Sequence, residues 1–212
     1  WIDPHIQTTP VIGDIDGDGV EELVVAVSYF FDQSEYSADS LMRKMAVGEN
    51  GDIMKYLASG VVVYDLNSRM MKWSQHLDLS TAYTRYKAAI LSSPALGDIN
   101  GDGLLEVIVG TSMGFLYALD AKTGNALEGW PIQMGDIQGH VAVADIDQDG
   151  KIEVVATDTR GSIAAFRGDA SEVWELHIGS AFTAGVTFGD VDGDGQLEAS
   201  FATMDGKVYL VD

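Results

Sequence analysis

Apolar residues along this chain come in short bursts. "ELVVAV" (Glu22–Val27), "EVIVGT" (Glu106–Thr111), "EVVATD" (Glu153–Asp158) and "EASFAT" (Glu198–Thr203) are each too short for a helix. Runs of this length between glycine and aspartate clusters predict buried strands. Each follows a shorter segment that ends in a small residue: "TTPVIG", "SSPALG", "GHVAVA" and "AGVTFG". Gly114, Gly161 and Gly206 stand eight residues after Glu106, Glu153 and Glu198, and each opens another apolar burst: "FLYALD", "SIAAF" and "KVYLVD". Glycine at that point predicts a hairpin turn. A fourth burst closes the first three units: "MMKWSQHL", "ALEGWPI" and "EVWELHI".

Four strands in about 45 residues is the grammar of a β-propeller blade. The chain is therefore predicted to be all-β. It reads as one propeller segment with three full blades and most of a fourth, at about 5–90, 91–135, 136–180 and 181–212. A β-sandwich with acidic loops would share the strand spacing. It does not predict a four-strand period with two anchors in register.

The first unit departs from the pattern. Phe30, not glycine, lies eight residues after Glu22. Gly60 is the expected equivalent, which leaves an insertion over about 28–59. "SADSLMRKMAV" and "DIMKYLA" within it predict short helices. Tyr29, Phe30, Phe31, Tyr36, Met42 and Met45 either pack on the propeller rim or present an apolar surface to a partner.

Between the first two strands of every unit runs a crowded acidic stretch: "GDIDGDGVEEL", "GDINGDGLLEV", "ADIDQDGKIEV" and "GDVDGDGQLEA". Counted from the first Asp, side-chain oxygens fall at positions 1, 3 and 5, glycine at 6 and Glu at 9. These are Asp14, Asp16, Asp18, Gly19 and Glu22 in the first loop, and Asp98, Asn100, Asp102, Gly103 and Glu106 in the second. Asp145, Asp147, Asp149, Gly150 and Glu153 form the third, and Asp190, Asp192, Asp194, Gly195 and Glu198 the fourth. Alternate carboxylates on a curled loop converge on one point, and glycine at 6 admits a positive φ. The carbonyls at position 7 are expected to join them: Val20, Leu104, Lys151 and Gln196. Glu at 9 would close the cage, with both oxygens engaged.

Such all-oxygen sets suit Ca2+, which takes six to eight hard ligands in tolerant geometry. Mg2+ demands a stricter octahedron, and zinc would want His or Cys. An EF-hand closes at position 12 between helices, so this is a different loop. About four Ca2+ sites are predicted.

Charge agrees with this reading. The chain carries a formal −21. That balance opposes nucleic acid and anionic membrane surfaces. Four divalent ions would bring it to about −13. There is no cysteine, so disulfides and thiolate sites are excluded. No apolar run is long enough to span a bilayer. The chain opens on Trp1, within the lead-in to a repeat, and is expected to be part of a longer polypeptide. At a dissociation constant of about 10⁻⁴ M, about 1 mM Ca2+ would stabilise the fold by roughly 1.4 kcal/mol per site. Weak sites of this kind suit the cell exterior or the secretory lumen.

The repeated h-[GA]-D-h-[DN]-x-D-G-x-x-E pattern, with "FGD" at Phe188–Asp190, resembles the FG-GAP repeats of integrin α-subunit propellers. Those repeats usually carry Asp at position 9, where this chain has Glu. "TPVIGDIDGDGVEELVVAVSYFFD", "LDLST", "SSPALGDINGDG" and "VGTSMGFLYALD" are also similar to the green-lineage family named for defective exine formation. That resemblance implies a calcium-binding, membrane-anchored propeller protein of the secretory pathway and cell surface that patterns wall material. The implied partner is a protein or a surface polysaccharide.

Catalytic motifs are thin. "GTSMG" (Gly110–Gly114) has the spelling of a nucleophile elbow but aligns with hairpin turns. "ALDAKTGNALEGW" resembles the tryptophan-docking repeat of quinoproteins, yet only one unit carries it well. Trp73, Trp130 and Trp174 are expected instead to pack between blades. His5, His76, His140 and His177 share no spacing. A non-enzymatic interaction module is the expected function, with a propeller enzyme or a sugar-binding lectin as the alternatives.

Overall fold

The computed structural model of the chain describes residues 2–31, 57–81 and 84–211. Among the described residues sixteen strands form four antiparallel sheets. The first sheet holds β1 (Ile2–His5), β2 (Val11–Gly13), β3 (Glu22–Phe31), β4 (Leu57–Asp65) and β5 (Met71–Ser80). The second is β6 (Ala95–Gly97), β7 (Glu106–Gly110), β8 (Phe115–Leu119) and β9 (Ile132–Gln133). The third is β10 (Ala142–Ala144), β11 (Glu153–Thr157), β12 (Ser162–Phe166) and β13 (Glu172–His177). The fourth has three strands, β14 (Thr187–Gly189), β15 (Glu198–Ala202) and β16 (Val208–Val211).

In the second, third and fourth sheets, and from β2 to β5 in the first, strands pair in chain order. The innermost strands of successive sheets, β2, β6, β10 and β14, are neighbours in space. This is the arrangement of successive propeller blades. The first blade adds a feature that its sequence conceals. β1 and β2 both pair with β3, β1 along Ser28–Phe31 and β2 along Glu22–Val24. Two short strands thus share one edge of a long one.

Alternation explains the core. β7 is buried throughout, because both of its faces meet another blade. Val107 and Val109 face Val24, Ala26, Val61, Val63 and Trp73 of the first blade. Ile108, between them, packs with Val154, Ala156, Ala164 and Phe166 of the third. Val155, Ile163 and Ala165 then meet Phe182, Val186, Ala199 and Phe201. Each fully buried Val, Ile or Phe contributes about 1.5–3 kcal/mol.

The tryptophans sit where expected. Trp73 donates its indole N–H to the Ala121 carbonyl of the next blade, and Trp130 does the same to Gly168. Trp174 packs against the cluster shared by the third and fourth blades.

Two expectations change. No helix occurs among the described residues. The helix expected over 37–47 lies outside them, as does most of that expected over 52–58. Its last residues, Leu57 and Ala58, open β4, where they pair with Phe30 and Tyr29 on one side and Ser80 and Leu79 on the other. Ladder bonds on both sides outweigh local helical preference. Gly60 is not the hairpin turn either. It lies inside β4 opposite Val27, because the hairpin continues to Phe31 and Leu57. A β-bulge at Ala58/Gly60 brings the Gln75 carbonyl to 2.6 Å from where a Cβ would sit. Gly114, Gly161 and Gly206 do turn, with φ of 90°, 95° and 82°.

Candidate cation sites

Each three-residue inner strand runs directly into an acidic loop, and each loop ends on a Glu that starts the second strand. Three hydrogen bonds repeat in all four loops. The position 2 N–H donates to Oε2 of the closing Glu: Ile15 to Glu22, Ile99 to Glu106, Ile146 to Glu153 and Val191 to Glu198. The position 6 glycine N–H donates to Oδ2 of the first Asp: Gly19 to Asp14, Gly103 to Asp98, Gly150 to Asp145 and Gly195 to Asp190. The position 7 N–H donates to Oδ1 of the position 5 Asp: Val20 to Asp18, Leu104 to Asp102, Lys151 to Asp149 and Gln196 to Asp194.

These bonds curl each loop onto its first Asp and closing Glu. The position 6 glycines have φ between 86° and 90°, as the spacing predicts. Position 4 is left-handed as well, at Gly17, Gly101 and Gly193, and even at Gln148, with φ 58°. The closing Glu differs from expectation in one respect. Its Oε2 accepts a backbone N–H in every loop, and Oε1 meets another loop group in the first two, Lys72 at Glu22 and Asn100 at Glu106.

The loops differ in what meets their carboxylates. In the third, ligand oxygens of Asp145, Asp147 and Glu153 lie within 4.8 Å of one another. Glu153 is fully buried, and its Oε1 and Asp145 Oδ1 have no hydrogen-bond partner. Burial pushes the Glu153 carboxyl above its ordinary range, and Asp147, Asp149 and Asp145 add repulsion. Arg167 reaches Asp147 alone, at 3.0 Å near the surface. A buried, unpaired carboxylate is costly, and a cation relieves that cost. The residues of this loop fit a divalent ion with hard-oxygen preference.

In the fourth loop Asp190, Asp192 and Asp194 converge within the same distance. In the second, the Asn100 amide donates to Asp102 Oδ2 and Glu106 Oε1. Asn100 thus stands between the acids that an ion would bridge, and its own Oδ1 could turn toward that ion. Burial, aided by Asp102 and Asp98, pushes the Glu106 carboxyl up to about 7.

The first loop already contains a cation. Lys72 Nζ donates to Asp16 Oδ2 at 2.8 Å, Glu22 Oε1 at 2.7 Å and Asp18 Oδ2 at 3.1 Å. Burial pulls the Lys72 ammonium down, but its bonds to Asp16, Glu22 and Asp18 outweigh that and hold its pKa above the usual lysine value. The Val20 N–H, and then Lys72, keep Asp18 below the ordinary carboxylate range. Asp14 accepts the backbone N–H groups of Asp18 and Gly19, and among the described residues Asp16 Oδ1 has no partner. Asp65, which the spacing does not mark, joins Asp18 and Glu22. Asp14, Asp16 and Asp18 bring ligand oxygens within 4.8 Å of one another here too, but in this loop an ammonium already bonds Asp16, Asp18 and Glu22.

Adjacent loops are tied together. Leu105 N–H donates to the Ile15 carbonyl, and Gln148 Nε2 to the Gly195 carbonyl at 2.6 Å. Elsewhere, Ser112 lies in the β7–β8 hairpin, with a strand on either side, so it lacks the strand-to-helix setting of a nucleophile elbow. His140 contacts the Val186 carbonyl and His177 contacts Ser162.

This geometry defines a class: an all-β, propeller-like protein of repeated acidic-loop blades. Comparison with known proteins agrees. The FG-GAP-like repeat matches residues 98–156 and again 145–199, which include the second, third and fourth loops. Over those residues the chain is similar to FG-GAP-like repeats. It is similar to the BBSome complex member BBS2 of Danio rerio, with 28% identity over 173 residues, 77% of this chain and 22% of BBS2. The chain thus spans about a fifth of that curated relative. Among solved structures it resembles the V. cholerae biofilm matrix protein Bap1, at TM-score 0.56 and 18% identity over 96% of this chain and 30% of Bap1. It also resembles Saccharomyces cerevisiae Sqt1, at TM-score 0.50 and 13% identity over all of this chain and 58% of Sqt1. These likenesses concern the fold.

Proposed function

We propose that this chain is a calcium-stabilised β-propeller module that binds a partner and catalyses nothing. The observation that carries the reading is the pair of buried oxygens in the third loop, Asp145 Oδ1 and Glu153 Oε1, that have no hydrogen-bond partner although ligand oxygens of Asp145, Asp147 and Glu153 converge there. Asp145, Asp147, Asp149 and Glu153 would hold the ion in the third blade. Asp98, Asn100, Asp102 and Glu106 would do so in the second, and Asp190, Asp192, Asp194 and Glu198 in the fourth. The ion supplies positive charge where acids converge, and so locks the turn between the first two strands. Rigid blades then present their edges and turns to a partner.

The partner in this reading is a protein or a surface polysaccharide. A complex member as relative supports the first, and the resemblance to the exine-formation family supports the second. That family also directs the reading to the cell surface or secretory lumen and to assembly of wall material. Weak sites would fill there and stay unfilled at sub-micromolar cytosolic calcium.

Thermal unfolding in about 1 mM Ca2+ and in EGTA tests the proposal. Calcium should raise the Tm by several degrees, and equal Mg2+ should raise it much less. Identical melting curves in Ca2+ and EGTA would sink the reading.

A further inference from the structure

We infer that Lys72 is the built-in cation of the first loop, so that this loop takes no divalent ion while the other three do. The second half rests on the calcium reading above; the first half stands on the geometry of Lys72 itself.

Lys72 precedes Trp73 on β5. In the next two blades the residue before the interblade tryptophan is Gly129 or Val173. Neither can deliver a charge. In the first blade a β-bulge at Val63/Tyr64 sets Lys72 between the partners of those two residues. The third blade has the same bulge at Ala165/Phe166, with Val173 at that place. The backbone device is therefore repeated, and only the first blade equips it with an ammonium.

The ammonium then meets the requirements of the cage. It has three protons and makes three bonds, each to a different carboxylate. Two of those acids, Asp16 and Glu22, occupy ligand positions 3 and 9, and Asp18 occupies position 5. A divalent ion seeking the same oxygens would have to expel Lys72 or share the cage with it. Arg167, just after β12, makes the contrast at the third loop: it bonds one oxygen of Asp147 and leaves the buried pair unpartnered. The first loop thus has its counter-charge by covalent attachment, independent of calcium supply.

The test is the calcium stoichiometry of the full chain by equilibrium dialysis, for the wild type, Lys72→Met and Lys72→Arg. Three ions in the wild type and in K72R, and four in K72M, are expected. Equal numbers in the wild type and K72M would overturn the inference. No ions in the wild type but one in K72M would sink the calcium reading and retain the lysine. Amide exchange of the wild type in EGTA removes any dependence on the variant's folding. The N–H groups of Ile15, Gly19 and Val20 should stay protected while those of Ile146, Gly150 and Lys151 exchange at least tenfold faster than with calcium. Parallel loss of protection in the first and third loops would also overturn it.

Discussion

Trp73 on β5 and Ala121, just beyond β8, are joined across the first blade junction by an indole N–H···O=C bond of 2.8 Å. Ala121 stands fifteen residues after the loop-closing Glu106, and Gly168, the acceptor for Trp130, stands fifteen after Glu153. One interblade bond is therefore written twice in the repeat. Trp73→Phe keeps the ring but strands the buried carbonyl, and should cost about 1–3 kcal/mol. Trp73→Ala also empties the junction, and should cost about 3–5 kcal/mol. Urea unfolding of both variants checks the order. A cost for W73F as large as that for W73A would show that the hydrogen bond, not the packing, joins these blades.

Glu153→Gln should act with opposite sign in two buffers. In EGTA the variant loses a buried, unpaired charge, so its stability should equal or exceed that of the wild type. In saturating calcium it loses a ligand, and the calcium-induced rise in Tm should shrink by about one site's worth, roughly 1.4 kcal/mol at about ten times the dissociation constant. Parallel melts in the two buffers read both effects. Destabilisation in EGTA would mean that the third loop is held by bonds of Glu153 that a glutamine cannot supply.

Glu106 predicts a pH dependence. Its folded pKa, about 7, lies above its ordinary value of 4.5, chiefly because of burial. The folded state therefore binds this proton more tightly than the unfolded state does. In EGTA the Glu106 contribution to stability should grow as pH falls from about 7 toward 4.5, and vanish as pH rises through about 7. Glu153 is shifted in the same direction, so Glu106→Gln should flatten part of the trend rather than all of it. Denaturant midpoints across pH 4.5–8 measure it. A wild-type profile that E106Q leaves unchanged would refute the assignment.

Most of the frame was legible because the repeat writes each blade in one stretch. The Asp-x-Asp-x-Asp-Gly-x-x-Glu spacing marks the loops, and the burst after each Glu marks the second strand. What the spacing hides depends on pairing between distant segments. Lys72 comes 50 residues after Glu22, beyond the insertion, and reaches the loop only through the bulged β4–β5 register. A lysine before tryptophan in "MMKWSQHL", set against Gly129 and Val173, was the signal available. β1 was missed because "IDPH" shows no strand alternation; its strand character comes from the free edge that the long β3 offers. β9 contracts to two residues behind Pro131, which has no N–H to give to a ladder.

The up-and-down connectivity of the blades sorts their loops by end. The links from first to second strand, with their acids, emerge together and touch one another through Leu105–Ile15 and Gln148–Gly195. The links from second to third strand emerge at the opposite end, and there the chain departs from β3 at Phe31 and re-enters β4 at Leu57. The first blade is thus a two-sided scaffold. Contacts made at the anionic end are therefore set apart from contacts made at the other end by the length of the strands.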